Sequence, residues 1–401
     1  MPKYHSQSRE VRLALTLSGV IALRMLGLFL ILPVFMILAQ DMPGFTPLTG
    51  GLAVGIYGLT QAALQQPFGW LSDRWGRRPV LLMGLFLFAA GGALAALAET
   101  MPVLIAGRAL QGCGAIAGVA MALAADFTRP QRRSVSMAII GIGIGGAFLL
   151  SMMLSVPLAL VLGLGGLFWL TVIFALAGIL LILTLPRNLS PVSEPETTVN
   201  VDMKPVRLLA LSVFLLHAVM TLLFVVLPPS LVGSYDIVLA EHWKIYVPTM
   251  VLSVLIMFPL LKKVGKDLAE HRLMPWAFFA IAAAIACMGL MEAKIGLVGL
   301  GALMTVYFLG FNLLEAAMPA LLARVSGSGG RVRRMGVYST FQFLGAFAGG
   351  VSGGWLLAGF GSATALLAAA SICVVWGILL KAVLSRMLHS LPHVLSKATD
   401  V

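Results

Sequence analysis

Long apolar runs recur along this chain and constrain its fold more than any other feature. A membrane-spanning helix needs about 20 predominantly apolar residues, and twelve stretches meet that requirement. Only 10% of the residues are charged, against about 25% in soluble domains, so a polar exterior cannot form. The sequence therefore predicts an all-α membrane protein with spans at 12–39, 50–71, 79–98, 101–125, 134–160, 166–186, 206–232, 243–261, 273–291, 296–323, 336–359 and 362–386.

The basic residues predict the orientation of these spans. Of the 27 Lys and Arg residues, Lys244 and Lys294 fall in one alternate set of loops, and Arg24 and Arg108 lie within spans. All the others fall in the second set of loops, in the termini or in the span ends next to them, and the positive-inside rule places that side in the cytoplasm. We therefore expect a multi-pass protein of the bacterial inner membrane with both termini cytoplasmic and an uncleaved first span.

A net charge of +12 would suggest nucleic acid in a soluble protein. Here the bases lie in short loops between apolar runs, so we expect membrane lipid as a neighbour and no nucleic-acid partner. Cys113, Cys287 and Cys373 lie inside apolar runs, without a CxxC pattern. They read as small apolar helix residues, and we predict no metal and no cofactor.

One polar stretch divides the chain into halves. Residues 187–205 contain prolines, serines and glutamates and read as a flexible linker. We therefore predict an N-terminal six-helix bundle at 1–186, a cytoplasmic linker at 187–205, a C-terminal six-helix bundle at 206–387 and a short cytoplasmic tail at 388–401.

Away from their ends, the predicted spans contain four ionisable residues: Arg24, Arg108, His217 and Glu315. A charge near the bilayer centre costs about 2.5–3.5 kcal/mol on insertion scales, so such residues usually face a bundle interior or a water-filled cavity. The functional interpretation is proton coupling or a place in a substrate cavity, with Glu315 as the candidate proton carrier. The alternative is a structural clamp, and His217 could instead bond a backbone carbonyl. Arg108 could bond carbonyls of helix 1 or helix 5.

Neutral polar residues within the spans add weaker candidates. Gln61 and Gln65 are four residues apart and share one helix face, and Asn312 lies near Glu315 in sequence. We include these three in the candidate cavity, although single polar residues in spans more often join helices.

A specific motif stands between the second and third spans. It reads Gly69-Trp-Leu-Ser-Asp73-Arg74-Trp-Gly76-Arg77-Arg78 and matches the G-x-L-x-D-R-x-G-R-R signature of the major facilitator superfamily. A second signature, Leu104-x-x-x-Arg108-x-x-Gln111-Gly112, lies where the drug-exporting branch of that superfamily carries it. Further segments, among them Ala22-Leu-Arg-Met-Leu-Gly27, resemble the YajR-type transporters of the drug:proton antiporter group.

The resemblance implies two six-helix bundles around a central cavity lined by helices 1, 4, 7 and 10. The four intramembrane ionisable residues fall one on each of those helices. It also implies a cytoplasmic gate formed by the motif residues Gly69, Asp73, Arg74, Gly76, Arg77 and Arg78. In that gate Asp73 would meet the start of helix 11, and Arg77 would pair with Asp126. The alternative for the three arginines is that they only set topology.

These observations favour a transporter over an enzyme, because the sequence has no paired carboxylates, HExxH motif or Ser/His/Asp cluster. We expect a proton-coupled exporter of small amphipathic molecules that works by alternating access as a functional monomer. Its partners would be a small-molecule substrate and protons. The alternative is a proton symporter or a facilitator for uptake. The family's helix 5 signature centres on Gly-Pro, which here is replaced by Ser151-Met-Met-Leu-Ser-Val-Pro157.

Overall fold

The computed structural model describes residues 7–129, 132–185, 203–264, 270–291, 294–325 and 331–389. Secondary structure within these ranges is entirely helical. The predicted linker at 187–205 and the tail at 388–401 lie largely outside the described residues. The α-helices are α1 (Gln7–Ile31), α2 (Phe35–Leu38), α3 (Pro47–Trp75), α4 (Arg77–Ala96), α5 (Met101–Cys113), α6 (Ala117–Asp126), α7 (Arg133–Leu183), α8 (Met203–Gly233), α9 (Trp243–Val264), α10 (Glu270–Leu290), α11 (Leu297–Val325) and α12 (Arg331–His389).

The chain divides into two compact units, Met1–Glu196 and Thr197–Val401. In the N-terminal unit α1 packs along α7, α4 packs against both α5 and α7, and α3 packs against α5. In the C-terminal unit α8 packs along α12, α10 packs against both α11 and α12, and α9 packs against α11. The two units thus repeat one packing pattern, as internal repeats do in many secondary transporters.

Nine helices of the described part are long and apolar enough to cross a membrane. Two of these segments, Val135–Leu183 and Arg334–Val383, contain 49 and 50 residues, more than twice the length that about 20 residues provide for one crossing. Each is interrupted by a glycine with positive φ, Gly163 at 62° and Gly361 at 81°. Glycine adopts this conformation freely, and both interruptions lie where the sequence separates two predicted spans.

Two predicted spans differ from the structure. The first, 12–39, ends as a helix at Ile31, and a turn containing Pro33 leads into the short α2. Proline has no N–H to continue the helical bonding, which explains the early end. The fourth, 101–125, is interrupted at 114–116 between α5 and α6, and Gly114 there leaves the helical conformation with ψ at 57°.

Glycines allow some of these helices to pack very closely. A Cβ atom added to Gly112 on α5 would overlap the carbonyl oxygen of Tyr57 on α3. One added to Gly349 on α12 would overlap the carbonyl oxygen of Ala218 on α8. Small residues at helix interfaces are typical of membrane bundles because they let backbones approach each other.

Candidate functional site

Arg24 lies on α1, and only 1% of it is exposed. Its Nη2 group donates a hydrogen bond to Oε1 of Gln61 on α3. Gln61 Nε2 lies 3.5 Å from Oε1 of Gln65, one turn further along α3. The face that the sequence predicts for Gln61 and Gln65 therefore exists, and it packs against Arg24.

Tyr57 lies beside both arginines of the N-terminal unit. The guanidinium carbon of Arg24 is 5.6 Å from the centre of the Tyr57 ring, and that of Arg108 is 5.1 Å from it. Arg24 is also 5.4 Å from the Phe88 ring. Aromatic faces attract cations at these distances. Tyr57 is not among the candidates named from the sequence, although its position four residues before Gln61 places it on the same face of α3.

Arg108 connects three helices. Its Nε donates to the carbonyl oxygen of Ala53 on α3 at 3.2 Å, and its Nη1 donates to Gln111 Oε1 at 2.9 Å. Gln111 Nε2 then donates to Thr171 Oγ1 on α7 at 3.0 Å. The sequence suggested that Arg108 could bond backbone carbonyls of the first or the fifth predicted span. The carbonyl that it bonds instead belongs to Ala53 in the second predicted span, because α5 packs directly against α3.

His217, on α8, is 7% exposed and has partners at both ring nitrogens. Its Nδ1 lies 3.2 Å from the carbonyl oxygen of Val213. A carbonyl only accepts, so Nδ1 carries a proton. Its Nε2 lies 2.8 Å from Nε2 of Gln342 on α12, so this nitrogen accepts from the amide. These partners fit the neutral imidazole and agree with the alternative that His217 bonds a backbone carbonyl.

Glu315 approaches the same histidine from α11. Its Oε1 lies 3.7 Å from His217 Nδ1, and 32% of its side chain is exposed. Oε1 is itself buried without a hydrogen-bond partner among the described residues. The carboxyl group of Glu315 and the imidazole of His217 are therefore neighbours inside the C-terminal unit, without a hydrogen bond between them.

Asn312 has a different environment, although it is one turn before Glu315. Its Nδ2 donates to Ser253 Oγ on α9 at 3.1 Å and lies 3.8 Å from Met250 Sδ. These contacts join α11 to α9. Asn312 thus serves as a helix contact in this unit, which is the alternative that the sequence left open for it.

Arg77 is the centre of the motif between α3 and α4. Its Nη1 lies 2.6 Å from Asp73 Oδ1 and donates to Ser72 Oγ at 2.5 Å, and its Nε lies 3.0 Å from Asp126 Oδ2 at the end of α6. The pairing with Asp126 that the family pattern implies is therefore present. All these contacts lie within the N-terminal unit, and 64% of the Asp73 side chain remains exposed.

The other motif residues have separate roles. Gly76 has φ at 90° and ends α3, a conformation that favours glycine. Arg74 stacks over Trp70 at 4.4 Å, and Arg78 Nη2 donates to the carbonyl oxygen of Leu183 at 3.0 Å. A Cβ added to Gly69 would meet nothing within 4 Å, so no contact in this structure explains that glycine.

The ion pair between Glu10 and Arg129 was not predicted from the sequence. Glu10, 3% exposed on α1, accepts from Arg129 Nε at 2.7 Å and from Nη2 at 3.2 Å. These hydrogen bonds raise the pKa of Arg129. A sequence signal for this pair was available, because Glu10 is a single acid among basic residues at the start of the first apolar run.

The candidate residues therefore form three groups. Arg24, Gln61, Gln65 and Arg108 surround Tyr57 in the N-terminal unit, and His217 and Glu315 meet in the C-terminal unit. The acids Asp73 and Asp126 meet at Arg77. Buried ionisable groups inside apolar helices, in two units that repeat one packing pattern, define a helical membrane transporter.

Comparison with known proteins specifies the class further. A family model described as the Major Facilitator Superfamily matches residues 17–314. The chain is 38% identical over 385 residues to the Inner membrane transport protein YajR of Escherichia coli (strain K12), covering 94% of this chain and 84% of the relative. It is 29% identical over 341 residues to the Multidrug resistance protein MdtH of Aeromonas salmonicida (strain A449), covering 82% of each.

A solved structure shares the fold. The crystal structure of a D-xylose-proton symporter superposes with a TM-score of 0.73 and 14% sequence identity, over 94% of this chain and 97% of that one. The chain belongs to the Major Facilitator Superfamily, and the predicted resemblance to YajR-type transporters is confirmed.

Proposed function

We propose that this protein is a proton-coupled exporter of small amphipathic molecules that works by alternating access in the bacterial inner membrane. One observation carries the coupling: the carboxylate of Glu315 lies 3.7 Å from the buried imidazole of His217, inside apolar helices. A carboxylate in such a place can be neutralised by a proton, and a membrane transporter that binds and releases that proton can draw on the proton gradient. Sequence likeness to a Multidrug resistance protein supports export of varied small molecules.

The proposal includes twelve spans with both termini in the cytoplasm. The two long segments, each interrupted at a glycine, would cross twice, and Pro47–Trp75 would supply a further span beside those already described. The basic loops and the name of the relative YajR, an inner-membrane protein, support this arrangement. We further propose six-helix bundles at 1–186 and 206–387, joined by the linker at 187–205, and a functional monomer.

Arg108 and the gate residues complete the mechanism. Arg108, with Gln111 and Thr171, would hold α3, α5 and α7 together while the bundle moves as one body. Asp73, exposed beside Arg77, would meet the start of the eleventh predicted span in the outward-open state, at Met335–Val337 in the first two turns of α12. Acids are stabilised near helix N-termini by about 0.3–1 kcal/mol when exposed. Release of this contact would accompany opening towards the cytoplasm.

Everted membrane vesicles test the direction and the coupling together. Respiration acidifies the lumen, and a quenched acridine dye reports that acidification. Addition of ethidium as a cationic probe, or benzoate as an anionic probe, should release protons from the lumen and restore fluorescence. Vesicles from cells that lack the protein provide the control.

The uptake alternative predicts a different result in the same assay. A symporter would not release lumenal protons when substrate is added outside, and a facilitator would leave the dye unchanged. A growth screen of a deletion strain against a broad toxin panel would first select probes that the protein recognises. Transport of a selected probe without any proton movement would contradict the proposed coupling.

A further inference from the structure

Arg24 is a buried cation, and none of the acids that the structure describes forms an ion pair with it. The structure describes five acids in the N-terminal unit, and none forms an ion pair with Arg24. Asp73 and Asp126 pair with Arg77, and Glu10 pairs with Arg129. The other two, Asp41 and Glu99, are exposed. The positive charge of Arg24 is therefore not neutralised by the described residues of its own unit.

The unsatisfied polar atoms of Arg24 and Gln65 are all donors. Its Nε and Nη1 are buried without hydrogen-bond partners among the described residues, and so is Nε2 of Gln65. Gln61 does not supply the missing acceptor in this structure: its Oε1 accepts from Nη2 of Arg24, and its Nε2 faces Gln65 Oε1. The network Arg24–Gln61–Gln65 therefore ends in donor groups on both sides and lacks an acceptor.

Such an arrangement is unfavourable unless a further group completes it. A buried charge is tolerated when it is paired and fully hydrogen-bonded. The ring faces of Tyr57 and Phe88 offset part of the cost. Arg108, whose guanidinium shares the Tyr57 ring, adds a second positive charge, and its own described partners are neutral. A negatively charged group with hydrogen-bond acceptors would complement these residues in both charge and hydrogen bonding.

We propose that Arg24 and Gln65 form a binding site for a small, singly charged anion inside the N-terminal bundle. Guanidinium groups match carboxylates in geometry, and a halide satisfies the same donors. The anion is thus either the carboxylate of an organic substrate or a free inorganic ion. The site does not depend on the direction or the proton coupling of transport.

Thermal unfolding of the purified full-length protein in detergent tests this site without a transport assay. Tryptophan fluorescence reports unfolding in chloride, in benzoate and in the bulky sulfonate MES as reference, at equal ionic strength. A bound anion should raise the melting temperature saturably, by on the order of a few degrees at about 100 times its dissociation constant. A response to chloride alone identifies a free inorganic ion, and a response to benzoate identifies a carboxylate. Equal melting in all three solutions would overturn the proposal.

Variants locate the response. Arg24→Met should abolish it, and should melt at or above the wild-type temperature in MES because an unpaired buried charge is gone. Gln65→Leu keeps the charge and should weaken anion binding roughly tenfold. Arg12→Gln, an exposed arginine on the same helix, should respond like the wild type. A full response in Arg24→Met would place the anion elsewhere. If that variant does not fold, an unweakened response in Gln65→Leu would equally reject the site.

Discussion

At the scale of residues, the hydrogen-bond partners of a few buried side chains determine how ionisable groups are accommodated inside this membrane protein. Arg108 donates hydrogen bonds to neutral acceptors on its own helix and on α3. His217 is held by a carbonyl on one side and an amide on the other, and Glu315 approaches it without a hydrogen bond. The two units therefore differ in chemistry: the N-terminal unit buries two arginines, and the C-terminal unit brings together a histidine and a glutamate.

Substitution of Arg108 tests whether the guanidinium shape matters beyond its charge. Arg108→Ala should reduce transport about 10–100-fold, since hydrogen bonds to charged groups contribute about 1.5–3 kcal/mol. Arg108→Lys should recover little, because an ammonium group cannot reach Ala53 and Gln111 in one planar arrangement. Initial rates of probe efflux from cells, normalised to the protein in the membrane, provide the measurement. Arg12→Lys serves as control, and full activity of Arg108→Lys would show that charge alone suffices.

At the scale of helices, close packing depends on particular glycines. α8 and α12 approach most closely where Gly349 faces Ala218. Further along α12, Gly359 is exposed, and an added Cβ would meet nothing within 4 Å. Close helix packing therefore explains the glycine at Gly349 but not the one at Gly359.

The pair of glycines gives a matched stability prediction. Gly349→Ala should destabilise the protein by about 1–3 kcal/mol, as overpacking typically does, and should lower its melting temperature in detergent. Gly359→Ala, on the same helix, should melt within about a degree of the wild type, because exposed substitutions are near neutral. Equal melting of both variants would show that the α8–α12 contact is not as close as the structure has it.

The sequence predicts most of the helices but not their local interruptions. Runs of about 20 apolar residues specify spans because every backbone polar group must be satisfied in lipid. They do not reveal the break at 114–116, since Gly114 and its neighbours are as apolar as the helix around them. The free-energy cost of placing ionisable groups in a bilayer singled out Arg24, Arg108, His217 and Glu315. Their partners, such as Tyr57 and Gln342, could not be distinguished from ordinary helix-packing residues without knowledge of which faces meet.

At the scale of the whole molecule, transport requires the two units to change their relationship. The exposed carboxylate of Asp73 is the proposed contact, and Arg77 holds it from within its own unit. Asp126 shares that arginine but lies at the end of another helix. Asp73 and Asp126 therefore offer a way to separate contact between units from order within one unit.

We expect Asp73→Asn to move the population towards the inward-open state and to slow transport, with insertion unchanged. Loss of about 0.3–1 kcal/mol changes the ratio of two states about 2–5-fold. The measurement is crosslinking between a cysteine at Trp75 and one at Val337, in a background without Cys113, Cys287 and Cys373. Asp41→Asn, an exposed acid in another loop, is the control.

Asp126→Asn separates a lost contact between the two units from lost order around Arg77 within the N-terminal unit. This variant weakens the order around Arg77 but leaves the carboxylate of Asp73 in place, so it should reduce crosslinking less than Asp73→Asn does. Equal crosslinking yields in the wild type and in Asp73→Asn would rule out the latch.

Proton coupling through Glu315 is the central claim, and reconstituted liposomes test it most directly. A probe selected by the growth screen is followed under an imposed proton gradient and, separately, in gradient-free exchange. Glu315→Gln should abolish gradient-driven accumulation while exchange and membrane insertion persist, because the amide keeps the shape but cannot carry the proton. Glu241→Gln, which alters an exposed acid beside Lys244, should accumulate like the wild type. Wild-type accumulation in Glu315→Gln would contradict the claim.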